Sequence, residues 1–193
     1  MAATDGNSLP TAETVPTADT VRSLLDSATG TWTLDASRSS VRFQSKTLWG
    51  LATVRGTFAE LAGTGEIGSD GSAHGRLEIV SASLDTKRTA RDKHLRSADF
   101  FNSAAHREIV ATVQSARLGD SGDVAVEGEL AIAGITRPLS LTAKITEATP
   151  DAISLQAELT IDRADFTMTW NRIGMLRGAS TISVTARFTR SAT

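Results

Sequence analysis

The stretch "DVAVEGELAIAG", Asp123–Gly134, alternates apolar and polar side chains with a period of two. Its apolar or small residues share one face of an extended chain: Val124, Val126, Gly128, Leu130 and Ile132. Strict alternation of this kind is typical of a β-strand with one buried and one solvated face. The stretch therefore predicts a strand whose inner face packs against an apolar interior.

The same period recurs along most of the chain, and turn-forming residues separate the segments that show it. The other alternating segments are "SVRFQSK", "TVRGTFAEL", "GRLEIVSASL", "IVATVQSARL", "PLSLTAKI", "ISLQAELTID" and "STISVTARFTR". The separators include "SDGS", "GDSGD" and "EATPD". Eight or more strands without a βαβ rhythm predict an antiparallel sandwich or barrel. A barrel is favoured because closure removes the exposed edges.

Many residues on the predicted inner faces are small. They are Gly56, Gly75, Ala111, Gly128, Ala143, Ala157 and Ala186. Small inward residues leave space in a barrel of about eight strands, which can hold one ligand. They also relieve crowding where strands bend strongly. The pattern favours a cavity, and relief of crowding is the alternative.

The segment "SLDTKRTARDKHLRSADFFN", Ser83–Asn102, interrupts the strand pattern with a short helical segment near 88–101. Thr89 and Asp92 have the spacing of a capping box, which predicts a helix that starts at Ala90. A helix this short and weakly apolar needs a surface to lie on. We therefore expect residues 88–101, called the lid segment below, to cover the barrel with Leu95 and an aromatic residue turned inward.

This segment and four others resemble the YceI-like family. "SLDTKRTARDKHLRSADFF" is similar to the signature segment of that family, and "WTLDASRSSVRF", "VRGTF", "VEGELAIAGITRPLSL" and "IDRADFTMTWN" resemble further motifs in the same order. The resemblance covers about residues 31–189. The chain departs from the family pattern at Thr167, where glycine is common, and in "NSAAHREIV", which lacks a proline.

The resemblance implies a mainly β fold, an extended antiparallel lipocalin-like barrel, that binds a long-chain isoprenoid lipid. The ligand would be a polyprenyl compound or an isoprenoid quinone, and the protein a non-enzymatic carrier, storage or sequestration protein. An enzyme acting on a lipid or quinone in the same pocket is the alternative, and a small filled barrel is a third hypothesis. The residues expected to line the cavity are Phe43, Phe58, Leu77, Ile79, Leu95, Phe100, Phe101, Val113, Val126, Leu130, Leu141, Leu155, Leu159 and Val184.

Three arginines of the lid segment have two interpretations. Arg88, Arg91 and Arg96 either form a solvated face, where ion pairs contribute little, or contact the polar head of the ligand. Arg91 has a further option, which is an internal ion pair with Asp85, Asp92 or Asp162.

The composition limits the chemistry. The chain has 193 residues, a formal net charge of -2 and no cysteine, which argues against a general nucleic-acid binder and excludes disulfides and thiolate metal sites. The three histidines have no metal-ligand spacing, and no catalytic motif is present. We expect no cofactor other than a bound isoprenoid lipid or quinone. A transient membrane contact and a homodimer are compatible with the sequence.

The N-terminal thirty residues lie outside the family pattern. Residues 1–19 are poor in large apolar side chains and predict a disordered tail. Residues 20–30 predict a short helix and linker, with Asp19 or Thr20 as its cap, and residues 31–190 the barrel domain. The start has no basic and apolar regions of a signal peptide, so a cytoplasmic protein is expected.

Overall fold

The computed structural model describes residues 18–47, 51–120, 122–168 and 176–191. Its helices are α1 (Ala18–Asp26) and α2 (Thr89–Leu95). Its strands are β1 (Gly30–Leu34), β2 (Ser40–Thr47), β3 (Ala52–Phe58), β4 (Leu61–Ile67), β5 (Ala73–Val80), β6 (Leu84–Asp85), β7 (Glu108–Leu118), β8 (Asp123–Ile132), β9 (Ile135–Ala148), β10 (Ala152–Ile161) and β11 (Leu176–Arg190). The predicted disordered tail lies outside the described residues, except for its last two positions.

Eight of these strands form a closed antiparallel ring. The order is β1-β4-β5-β7-β8-β9-β10-β11, and β11 pairs with β1 to close it. The strand β1 is therefore paired on both edges, with Trp32 opposite Gly65 of β4 and opposite Arg190 of β11. The predicted antiparallel barrel of about eight strands is confirmed.

Strands β2, β3 and β6 extend one end of the barrel. The chain bends between β1 and β2 at a 3₁₀ turn, Ala36–Arg38, where the Asp35 carboxylate accepts a hydrogen bond from the Ser37 amide. Beyond this bend β2 pairs with β11 and β3 pairs with β2. The two-residue strand β6 pairs with β3, whereas β7 pairs with β5 and β8. The segment that connects β6 with β7 carries α2, so the helix lies at this end.

The lid segment begins differently from the expected capping box. Helix α2 starts at Thr89, and Arg88 occupies the N-cap position without a side-chain hydrogen bond. Asp92 does not bond back to Thr89 but accepts hydrogen bonds from Thr86. The helix ends at Leu95, and successive turns complete the predicted helical segment. The spacing rule was wrong here because a buried partner outside the helix competes for the carboxylate.

Helix α1 begins before the predicted start at residue 20 and ends at Asp26. Asp19 and Thr20 lie within its first turn, so the prediction that one of them caps the helix was wrong. Val21 of this helix is 1% exposed and packs against strands β8 and β9. Of the helices that the structure describes, neither has the length and apolarity needed to cross a membrane.

Thr167 adopts a left-handed backbone conformation. It follows the 3₁₀ turn Arg163–Phe166 and has φ 57° and ψ 16°. A β-branched residue is strongly disfavoured there, because its Cβ crowds the following carbonyl oxygen. This geometry accounts physically for the glycine expected at the position from the family resemblance.

Replacing Thr167 with glycine should therefore stabilise the fold. The expected gain in the free energy of unfolding is about 0.5–1 kcal/mol, because relief of left-handed strain exceeds the added entropy of glycine in the unfolded chain. The midpoint of urea unfolding measures it. Thr167→Ala is the matched control, since alanine keeps the Cβ atom. Equal midpoints for Thr167→Gly and the parent protein would contradict the expectation.

Candidate ligand-binding site

The barrel encloses a cavity of about 440 Å³. Its wall is built by the inward faces of the strands, because alternation turns every second side chain towards the axis. All fourteen residues that the sequence suggested as cavity lining contribute to this wall: Phe43, Phe58, Leu77, Ile79, Leu95, Phe100, Phe101, Val113, Val126, Leu130, Leu141, Leu155, Leu159 and Val184. Whether they contact a ligand stays a prediction.

Several lining residues were not among those suggested. Some belong to the same alternating faces and could have been found from the period: Val41, Val54, Ile109, Ile132, Leu139, Ile161, Ile182 and Phe188. Phe166 lies in the 3₁₀ turn after β10, and Met168 follows that turn. The alternation of strand residues does not extend to this segment. Both are nearly fully buried. No periodic pattern in the sequence marks these two residues.

The small inward residues divide into two groups. The alanines Ala111, Ala143, Ala157 and Ala186 line the cavity, so their short side chains widen it. The glycines instead permit close approach. A Cβ atom on Gly56 would overlap the ring of Phe43, and one on Gly128 would overlap the backbone carbonyl of Thr112. Gly75 similarly lies against the Thr64 carbonyl. Both interpretations of the small residues therefore apply, each to a different residue type.

The polar side chains of the lining are concentrated at the end of the cavity near α2. They come from the β2–β3 hairpin, α2, β11 and the turn after β10: Ser45, Lys46, Arg91, His94, Arg163 and Ser180. Lys46 is exposed and Arg91 is half-buried, so the cavity reaches solvent at this end. Ser45 and Ser180 share a hydrogen bond of 2.5 Å across β2 and β11. The opposite half of the lining is apolar.

Among the described residues, no acidic side chain lines the cavity, whereas three cations do. Burial lowers the pKa of the Arg163 guanidinium, and the neighbouring Asp162 carboxylate opposes that shift. Arginine keeps its charge in proteins. The α2 end therefore offers partly desolvated positive charge to a bound molecule.

A buried hydrogen-bond network holds α2 against the barrel. The Asp92 carboxylate, 6% exposed, accepts hydrogen bonds from the Thr86 amide at 2.9 Å and from its hydroxyl at 2.5 Å. Arg91 donates to the Thr86 hydroxyl at 2.7 Å and to the Thr86 carbonyl at 2.8 Å. Arg91 thus binds Thr86 instead of the predicted partners Asp85, Asp92 or Asp162. These bonds place its guanidinium at the cavity wall.

The other two arginines suggested for a polar head lie elsewhere. Arg88 is exposed at the start of α2 and does not line the cavity. Arg96 donates a hydrogen bond to the Leu84 carbonyl and ties the end of the helix to β6. Only Arg91 of the three therefore lies where a bound molecule could contact it.

Aromatic contacts continue this attachment into the cavity. The ring of Phe101 meets Phe58 edge-on at 5.8 Å between centroids, and Phe58 lies 5.9 Å from Phe43. His94 contacts the ring of Phe100 edge-on at 5.2 Å and bonds Asp99 at 3.1 Å. Such ring pairs add stabilisation beyond the area that they bury. The lid segment therefore contributes part of the cavity wall as well as its cover.

The described residues contain no group of three or more His, Asp or Glu side chains placed to hold a metal ion. The chemistry that the described lining offers is therefore apolar contact along most of its length and cationic donors at one end.

Known proteins are similar to this chain over the residues that form the barrel and the lid segment. A family model described as the YceI-like domain matches residues 32–189. The protein YceI of Escherichia coli O6:H1 is 35% identical over 98 residues, which are 50% of this chain and 51% of that protein. The UPF0312 protein ECA1782 of Pectobacterium atrosepticum is 31% identical over 136 residues, covering 67% and 70%. The chain thus spans about half the length of the first curated relatives it matches.

Solved structures share the fold at low sequence identity. BcnA of Burkholderia cenocepacia superposes with a TM-score of 0.72 at 14% identity, covering 80% of this chain and 98% of BcnA. A polyisoprenoid binding domain from Saccharophagus degradans has a TM-score of 0.68 at 19% identity, covering 83% and 98%. The Campylobacter jejuni YCEI protein has a TM-score of 0.66 at 21% identity, covering 74% and 88%.

Removing the Asp92 carboxylate should loosen α2. In Asp92→Ala the buried Thr86 amide and hydroxyl lose their acceptor, which should lower the free energy of unfolding by about 1–3 kcal/mol. Amide hydrogen exchange should accelerate in α2 more than in the strands. Asp92→Asn keeps an acceptor oxygen and should lose less. Lys93→Ala, an exposed change on the same helix, is the control. Unchanged exchange in Asp92→Ala would show that the network does not hold the helix.

Proposed function

The chain belongs to the YceI-like family, and we propose that it binds a long-chain isoprenoid lipid in its barrel without catalysing a reaction on it. The ligand is a polyprenyl compound or an isoprenoid quinone, and the role is that of a carrier, storage or sequestration protein. The observation that carries the proposal is the apolar cavity of about 440 Å³ with polar groups at one end. Its volume lies within the usual range of small-molecule sites.

The hydrophobic effect supplies the driving force for such binding. Each Å² of apolar surface that leaves water contributes about 25 cal/mol, and this term has no directional requirement. A wall of aliphatic and aromatic side chains therefore selects for apolarity and shape rather than for particular functional groups. The naming of the Saccharophagus degradans neighbour as a polyisoprenoid binding domain supports this class of ligand.

The polarity of the lining orients the ligand. We place its head at the α2 end, beside Arg91, Lys46 and Arg163, and its chain towards the apolar end. Guanidinium groups present planar arrays of donors that suit phosphate and carbonyl oxygens. A head group with oxygen acceptors therefore fits this end.

Exchange of such a ligand requires access to membranes, since long isoprenoid chains partition into bilayers. A transient membrane contact would serve both uptake and release. That contact, a homodimer and the cytoplasmic location stay predictions.

Extraction with organic solvent tests the proposal most directly. We expect mass spectrometry of an extract from the purified protein to contain an isoprenoid in stoichiometric amount. Protein that has been stripped should bind an added fluorescent prenol and return it unchanged. An extract without apolar compounds, together with no binding of the prenol, would overturn the proposal. Chemical conversion of the prenol would replace it with the enzymatic alternative.

A charge at the centre of the cavity wall should abolish binding. Leu130 is buried and lines the cavity, so Leu130→Arg places an unpaired cation in an apolar interior and should also lower the melting temperature. Glu129→Arg is the matched control, because Glu129 is exposed on the same strand. Wild-type binding and melting temperature in Leu130→Arg would contradict the cavity as the binding site.

A cavity-filling change tests binding without a buried charge. Ala157 lines the cavity, and Ala157→Phe should occupy part of the volume that the ligand needs. We expect prenol affinity to fall at least roughly tenfold, which corresponds to about 1.4 kcal/mol, while the melting temperature of the ligand-free protein does not fall. Glu158→Phe, an exposed neighbouring position, is the control. Unchanged affinity in Ala157→Phe would place the ligand elsewhere.

A further inference from the structure

The cavity ends before the barrel does. On β8, Val126 lines the cavity, whereas Val124, two residues nearer the strand's start, does not. On β9, Ala143 lines it and Ile145 does not. All four side chains point inward and are buried. On the β8–β9 side the lining therefore stops at Val126 and Ala143, and Val124 and Ile145 fill the interior beyond them, whereas on β11 the lining continues to Phe188.

Helix α1 supplies part of this filling. Val21 is 1% exposed and belongs to one apolar cluster with Val124, Val126, Ala143 and Ile145. Val126 and Ala143 line the cavity, whereas Val124, Ile145 and Val21 itself lie beyond its lining. The side chain of Val21 therefore packs into the end of the barrel that lies opposite α2.

The attachment points of α1 lie on opposite sides of the ring. The helix leads into β1, and Arg22 forms an ion pair at 3.4 Å with Asp120 in the β7–β8 turn. Strand β8 is four places from β1 in either direction around the eight-stranded ring. Nine helical residues span about 14 Å. The helix thus crosses the end of the barrel.

The connection from α1 to β1 is fixed by several contacts. The Trp32 indole donates a hydrogen bond of 2.9 Å to the Ala28 carbonyl, and both residues are 2% exposed. Arg190 donates to the Ser27 carbonyl at 2.6 Å, and its guanidinium lies 5.4 Å from the centre of the Trp32 ring. These contacts hold the carboxyl end of α1 in place, so the position of Val21 is determined by the barrel itself.

Helix α1 precedes the region that matches the family model, which begins at residue 32. We infer that α1 is a chain-length stop, in which Val21 lies behind Val124 and Ile145, supports the layer that these residues form beyond the cavity, and thereby limits how long a bound chain can be. This inference rests on the proposed function, because it assigns the ligand's apolar end to the α1 side. A longer chain would have to displace Val21 or fold back.

The test uses the full chain and straight-chain primary alcohols that differ by one methylene, with displacement of the fluorescent prenol as the signal. For the parent protein, affinity should rise with each methylene up to a limit and then level off. Val21→Ala keeps a good helix former and removes two carbons. The limit should move up by about two methylenes, and an alcohol just beyond the parent limit should bind roughly tenfold more tightly.

Two further variants make the result interpretable. Val21→Leu enlarges the side chain and should move the limit to shorter alcohols, which a general loosening of α1 would not do. Ser23→Ala, an exposed change on the same helix, should leave it unchanged. A limit that is the same in all variants would overturn the inference while the proposed function stands. No binding of prenol or alcohol by the parent protein would overturn both.

Discussion

Closure of the strand ring is the constraint on which the rest of this structure depends. Strand β1 has only five residues, yet it pairs with β4 on one edge and with β11 on the other. Because every strand of the ring is paired on both edges, the ring itself offers no edge for unwanted pairing, and open edges are confined, among the described strands, to the β2–β3–β6 extension. The alternation of side chains then creates an interior that is apolar along most of its length. The cavity follows from closure plus the alanines on the inner faces.

A closed wall leaves two ends, and this chain covers them differently. At one end α2 is held by a polar network, Asp92 with Thr86 and Arg91, and polar residues reach the cavity there. At the other end α1 inserts Val21 into an apolar cluster. The barrel interior therefore changes from a cationic end near α2, which reaches solvent, to an apolar end near α1. An amphiphilic molecule has the same asymmetry, so the difference between the two covers supports a preferred orientation for the ligand.

The wall and the position of the lid segment could be predicted from the sequence, whereas the contacts that hold the lid segment and the role of α1 could not, for a physical reason. Alternation with a period of two reports the environment of each strand residue, and the eleven expected strand residues indeed lie in the wall. Each polar contact that holds a cover in place is one of several possible pairings of similar strength. Asp92 suited a capping box, yet the buried Thr86 competes successfully for its carboxylate. Phe166, in a 3₁₀ turn, and Val21, whose contacts lie far along the chain, carried no comparable signal.

The ring is held by hydrogen bonds and side-chain contacts between its own strands, which involve no atom of a cavity occupant. The covers are different, because their apolar residues face the cavity or the layer beneath it. Leu95 and Phe101 line the cavity directly, so a bound molecule adds contacts to α2 that the empty protein lacks. Elements with few contacts of their own are the ones that open locally, and binding to the closed state opposes that opening. Under the proposed function, occupancy of the cavity and order in the lid segment are thus linked, while the ring supplies the fixed frame for both.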